Sequence, residues 1–292
     1  MAVLLLLETG CGVAQLGMCA PHTKEEGTPS RNWTECFNEP VSHAGIAHSV
    51  YCLNDSTTKP PVLLLHELTG LTPGTLAYAE ELSKDFTVYV PLLFGEKGKF
   101  SPASGVRAYW GTSEWNTPQE GSVPIVDWLR GVIQRISTRH PQQHIGIIGN
   151  CMTGSLPVAL LDNPQVGAVV VAQPALPMSF WWSTNADKQS LGLSPTDLQG
   201  AQSSPAKIYG LRFETDCMSD PAKFHRLHTE FGERFINGEI SVREYQQDGK
   251  PTNAHSTLIG SWKEHDSTGQ ASRNARANVQ TFLLMELGGI RP

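Results

Sequence analysis

Three residues of the chain, in this order, could carry out nucleophilic chemistry: a cysteine at 151, a carboxylate at 216 and a histidine at 255. A thiol with a reference pKa of roughly 8.5 is only a few per cent ionised at neutral pH, so efficient attack on an acyl carbon needs a base. Histidine supplies one, and a carboxylate fixes the imidazole tautomer and stabilises the imidazolium that forms. Cys151 lies in Gly146-Ile-Ile-Gly-Asn-Cys-Met-Thr-Gly154, where an apolar run ends in a Gly-x-Cys turn and a helix-like segment follows. A sharp strand-to-helix turn pushes one side chain into the cleft above a sheet and aims the next backbone N–H, that of Met152, at a developing oxyanion. Short Gly-x-Cys-x-x-Gly strings also arise by chance around inert core thiols. The flanking elements therefore decide.

Downstream, the strand-like run Lys207-Ile-Tyr-Gly-Leu-Arg-Phe213 leads into Glu214-Thr-Asp216, and Asn253-Ala-His255-Ser256 follows in a polar loop. The order nucleophile, acid, histidine is that of the α/β-hydrolases. His265 is the rival base, but Glu264-His265-Asp266 reads as solvated surface. Glu214 and Asp220 are the rival acids, and Asp220-Pro221 reads better as the N-cap and first residue of a helix. Upstream, the buried run Pro61-Val-Leu-Leu-Leu65 enters His66-Glu67-Leu68-Thr69-Gly70, where the oxyanion loop of such a fold belongs. His66-Glu67 does not read as a zinc protease motif, because position 70 is glycine and the segment follows a strand. His66 reads as a structural ring beside that loop, with a substrate contact as the alternative. His225 and His228, three apart, read as a surface pair that no further ligand completes.

On the strand ending in His66-Glu67, Gly149-Asn-Cys151-Met152, Asp216 and Ala254-His255-Ser256, the chain resembles the dienelactone hydrolases over roughly residues 45–287. The resemblance implies an α/β-hydrolase fold, a Cys-His-Asp triad, a further glutamate that contacts the thiol, and hydrolysis of lactones and activated esters. It implies Cys151 as nucleophile, His255 as base and acid, Asp216 as orienting carboxylate and Glu67 as modulator. The backbone N–H groups of Leu68 and Met152 would be the oxyanion donors. An ionised Glu67 near the sulfur would hold the resting thiol protonated. Two departures stand out. Thr153 takes the place of the glycine usual two residues after the cysteine, and His255-Ser-Thr-Leu-Ile259 lacks the arginine that follows the family's histidine. The expected substrate is therefore a small neutral or more apolar ester or lactone. The competing readings are a non-catalytic binding module, and a thioesterase or acyltransferase.

The elements that must position these residues alternate as in a doubly wound, mostly parallel sheet with helices on both faces. Strands are expected at 48–53, 61–66, 86–90, before Gly149, at 166–171, 207–213 and 240–245. Helices are expected at 73–84, 121–138, from the turn to about 161, at 221–234 and 271–286. Residues 1–45 read as an irregular extension and 46–292 as one domain. Two long connections, about 91–120 and 173–204, should build the substrate pocket with Trp110, Trp115, Trp181 and Trp182.

A chain of 292 residues can bury one large core, and a net charge of −6 argues against a nucleic-acid partner. No apolar run approaches the roughly twenty residues of a membrane span. The chemistry calls for no cofactor and no metal. Cys36 and Cys52 could pair if the protein is exported, although the six cysteines permit several pairings. The start, Met1-Ala-Val-Leu-Leu-Leu-Leu7, lacks the basic residues of an export signal, so cytoplasmic residence is the default expectation.

Overall fold

A computed structural model describes residues 30–37, 39–53, 57–118, 120–241, 243–244, 255–259 and 270–288. Its strands are β1 (Thr34–Glu35), β2 (Val41–His43), β3 (Ile46–His48), β4 (Val50–Cys52), β5 (Pro61–Leu64), β6 (Thr87–Pro91), β7 (Ile145–Asn150), β8 (Val166–Ala172), β9 (Lys207–Leu211) and β10 (Phe235–Asn237). Eight of them form one sheet in the order β1-β4-β6-β5-β7-β8-β9-β10, and β2 and β3 pair separately. From β6 to β10 neighbouring strands run parallel, while β4 and β1 are added antiparallel at one edge. Every residue of β5, β6 and β7 is buried. Their unbroken apolar character follows from a parallel sheet covered on both faces.

The helices are α1 (Pro73–Leu82), α2 (Pro102–Gly111), α3 (Pro124–Arg139), α4 (Leu156–Ala159), α5 (Asn185–Gln189), α6 (Pro195–Gln202), α7 (Pro221–Phe231) and α8 (Gln270–Leu287). One core layer joins the sheet to α3, α4, α6 and α7 through Trp128, Val132, Val158, Ala201 and Leu227. The other joins it to α1 and α8 through Leu76, Tyr78, Val279 and Leu283. Several helices start on a proline after a side-chain cap, as in α1, where Thr72 Oγ1 accepts the Thr75 N–H at 3.2 Å, and in α7, capped by Asp220.

Several described segments add detail to, or differ from, the expected elements. Within the expected extension, Trp33, Phe37 and Val41 are buried, and a Cys36–Cys52 disulfide, Cα atoms 5.4 Å apart, fastens Cys36 to β4. Residues 1–29, with Cys11 and Cys19, lie outside the described residues. Among the described residues of the expected strand 240–245, Ile240 makes one parallel bridge to Phe213. There a local capping exchange wins: Ser241 N–H donates to Glu244 Oε2 at 3.0 Å and Glu244 N–H returns to Ser241 Oγ at 3.3 Å. Val242 and Tyr245 lie outside the described residues. The short strand β10 follows α7, which ends where Gly232 takes φ +55°. Finally, the segment after Cys151 is broken into two 3₁₀ turns around α4, and the two long connections hold α2, α5 and α6.

Candidate active site

Strand β7 ends at Asn150, and Cys151 follows at φ +52°, a backbone conformation that a side chain other than glycine rarely adopts. Local bonds hold it there. Asn150 N–H donates to Thr153 Oγ1 at 3.0 Å, and the Thr153 hydroxyl proton faces His66 O at 3.2 Å and Asn150 O at 3.0 Å. Thr153 therefore fits the turn and serves as its brace. The close approach is carried by Gly154 instead, where a Cβ would lie 2.6 Å from Pro174 Cα. Asn150 Nδ2 donates to Leu65 O at 3.0 Å, and Ala175 N–H donates to Cys151 O at 3.0 Å. Cys151 is a buried, reduced thiol, 2% exposed.

The Thr153 to His66 contact ties the turn to the loop after β5, so Leu68 and Met152 belong to two segments that are bonded together. A Cβ at Gly105 of α2 would collide with Leu68 O, so this glycine lets α2 lie against that loop. His66 is buried with both ring nitrogens engaged: Leu93 N–H donates to Nε2 at 3.1 Å, and Nδ1–H donates to Glu67 O at 2.9 Å. Burial lowers its pKa to about 4, outweighing the raising effect of the Glu67 carbonyl, with His48 a lesser lowering influence. The ring is neutral and structural, and the loop geometry depends on it.

On the other side of the thiol, His255 Nδ1–H donates to both oxygens of Asp216, at 2.9 and 2.8 Å. Asp216 Oδ1 also accepts the N–H groups of Met218 at 2.9 Å and Ser219 at 3.1 Å, which locks the carboxylate into its own loop. Arg212 underpins that loop from within the core, donating to Ser219 O at 3.0 Å and Glu214 O at 3.1 Å and pairing with Glu239. Burial pulls the His255 pKa down, but the Asp216 carboxylate and then Cys151 offset it, and the imidazole stands well above its ordinary value. The ring also interacts with the Cys151 side chain. His265, Asn253 and Ala254 lie outside the described residues; Glu214 is exposed, and Asp220 caps α7.

Glu67, fully buried, accepts at Oε1 from Gln173 Nε2 at 2.9 Å and from Ser256 Oγ at 2.7 Å. Gln173 Oε1 in turn accepts from Thr257, through its backbone N–H at 3.3 Å and its hydroxyl. The two residues after His255 are thus clamped to the ends of β5 and β8. Gln173, itself at φ +34°, was not foreseen from sequence, nor were Ser256 and Thr257. Lys223 was missed as well. It is fully buried in α7, where Nζ donates to Pro177 O at 2.9 Å. Its spacing with Leu227 placed a lysine on the apolar face of a helix, and that was the readable signal.

A cleft beside Met152 is lined by Tyr109, Trp115, Val123, Leu156, Leu176 and Leu191, among others. Trp115 thus lies in the same cleft as Met152, the residue after Cys151. Trp110 is not part of that lining; it packs edge-on against Tyr109 with its own surface 43% exposed. Trp181 and Trp182 are also outside it and form an exposed cluster with Phe180, because the chain after Met178 turns to solvent. His225 and His228 are exposed on α7.

The model of the dienelactone hydrolase family matches residues 48–247. Among solved structures, a Klebsiella pneumoniae protein ascribed to the dienelactone hydrolases superposes with a TM-score of 0.58 at 14% identity, covering 86% of this chain and 98% of its own. The Pyrococcus furiosus esterase Pf2001 follows with a TM-score of 0.57 at 12% identity, over 91% of this chain and 98% of its own. Est1E of Butyrivibrio proteoclasticus, solved with ferulic acid, gives 0.52 at 12% identity, over 85% and 98%. At these identities the likeness shows a shared α/β-hydrolase fold. No curated protein sequence matches.

Proposed function

The chain belongs to the dienelactone hydrolase family, and we propose that it hydrolyses small, uncharged carboxylic esters or lactones through a Cys151-His255-Asp216 triad. The observation that carries this reading is the meeting of a positive-φ thiol with an imidazole bonded at 2.8 Å to a buried carboxylate. In the proposed cycle His255 Nε2 takes the thiol proton as Sγ attacks the acyl carbon, and the oxyanion is met by the N–H groups of Leu68 and Met152. Collapse releases the alcohol with the proton from His255 and leaves a thioester on Cys151. Water then attacks with His255 again as base. Glu67, held at Oε1 by two buried donors, acts as an anchor for the histidine loop through Ser256.

The cleft, with about 20 Å³ of free space between Trp115, Leu156, Leu176 and Leu191 and the polar Thr117 and Ser155, supports a small uncharged acyl group. The disulfides at Cys36–Cys52 and at Cys217 support residence in an oxidising compartment in place of the cytoplasmic expectation. Among the described residues no helix is long and apolar enough to cross a membrane. The test is hydrolysis of short-chain p-nitrophenyl esters by wild type and Cys151→Ala. The expected result is turnover in the wild type and a loss of on the order of 10³-fold or more in the variant. Equal activity in both refutes the triad.

A further inference from the structure

Lys223 is a cation without exposure in the third position of α7, on the buried face it shares with Phe224, Leu227 and Phe231. Lysine is almost never fully buried unless something compensates the charge, and a buried, perturbed lysine beside a reactive group is a candidate for function. Its position relative to the nucleophile follows from two bonds. Ala175 N–H donates to Cys151 O at 3.0 Å, and two residues on, Pro177 O accepts from Lys223 Nζ at 2.9 Å. From the other side, Asp216 Oδ1 holds Ser219 N–H at 3.1 Å, and the next residue, Asp220, opens the helix that carries the lysine. Lys223 thus stands between the nucleophile turn and the acid loop.

The titratable groups that act on it are Asp220 from its own helix, Cys151 from the turn after β7, and Asp216 from the loop after β9. Burial pushes the ammonium down to about 7, against the pull of those three groups. A tie for the 175–179 segment does not require a charge, and Ser179 Oγ already makes one to Asp220 Oδ2 at 3.0 Å.

We propose that Lys223 is a positioning residue for the nucleophile, its ammonium favouring the Cys151 thiolate over the thiol from beneath the 175–177 segment while His255 handles the proton. The inference rests on the reading of Cys151 as the reactive thiol. It supplies the cation that a thiol nucleophile in an apolar setting needs, and its effect weakens as Lys223 itself loses its proton near neutrality.

The test is the pH dependence of Cys151 alkylation by iodoacetamide, located by peptide mass, in wild type, Lys223→Met and Lys223→Arg. The expected result is an upward shift of the thiolate midpoint in Lys223→Met. The neutral-pH alkylation rate then falls about tenfold, the change that one unit of pKa brings, and Lys223→Arg restores it. Turnover number should fall in parallel with KM for a short acyl ester unchanged. An unmoved midpoint with a raised KM overturns the proposal and makes Lys223 a tie for the cleft wall. Should Lys223→Met fail to fold, the wild-type titration decides. There Lys223→Arg is compared with it: its guanidinium stays charged through neutrality, so a thiolate midpoint at or below the wild-type value supports the proposal, and a raised midpoint overturns it. Alkylation is independent of turnover, so an active Cys151→Ala would sink the proposed function while leaving this shift readable.

Discussion

Cys151 reaches its place through one unbroken stretch, Gly146 to Gly154, whereas His255 reaches its place through bonds drawn from β5, β8 and the loop after β9. The first half is braced by its own neighbours, with Thr153 bonded to Asn150 and a glycine where Pro174 passes. The second is assembled: Asp216 grips the ring, while Glu67 and Gln173 grip the two residues that follow it. A local brace makes strain at one residue tolerable. A distributed clamp makes a loop precise without making it regular, and each of its members carries a different share of the burden.

The largest expected effect falls on the assembled half. Asp216→Asn should lower the turnover number by on the order of 10⁴-fold, the loss that accompanies a wrong imidazole tautomer, while Cys151 keeps its place and its alkylation by a small reagent. Activity within tenfold of wild type would show that the ring is held by something else. Next comes Gln173→Ala, which releases Thr257 and half of the Glu67 anchor. A misplacement of about 1 Å in the histidine should cost about 10²-fold in kcat/KM. Esterase assays beside a circular dichroism melt separate that from unfolding. An unchanged kcat/KM would reduce the clamp to a passive contact.

The local half should respond in stability first. Thr153→Val keeps the shape but leaves the buried Asn150 N–H without its acceptor, and urea denaturation should show a loss of about 1–3 kcal/mol. Indistinguishable midpoints would mean that the turn stands without its brace. The smallest effect is a pH slope. Because the folded His255 pKa lies above the unfolded value of 6.5, its contribution to stability is full below about pH 6.5 and is lost as pH rises through the folded value. In Asp216→Asn that alkaline decline should flatten, which unfolding midpoints across pH would reveal.

The same division explains what could be read from the sequence. The turn was legible because strand, cysteine and glycine are contiguous, and the order of acid and histidine along the chain restricted their partners. The clamp was not, since nothing in Val-Ala-Gln173 or Ser256-Thr257 announces that they meet across the sheet; their pairing exists only after β5, β7 and β8 are in register. Lys223 was half legible, as a lysine on an apolar helical face. The tryptophans could not be sorted from sequence, because an aromatic residue in a long connection satisfies two demands equally well, a pocket wall and a surface pin. Trp115 lines the cleft beside Met152, while Trp181 and Trp182 are exposed. In the described part of the strand expected at 240–245, a Ser241–Glu244 exchange three residues apart competes with a register that one bridge supports.

In the proposed triad Cys151 and His255 are each 2% exposed. A reaction centre so enclosed sorts its visitors at the doorway before bond-making begins. Along a set of esters with one common leaving group, commitment to reaction will then track the girth of the acyl part rather than the intrinsic fragility of the ester, and a bulky but highly labile ester will outlast a slender, sturdier one.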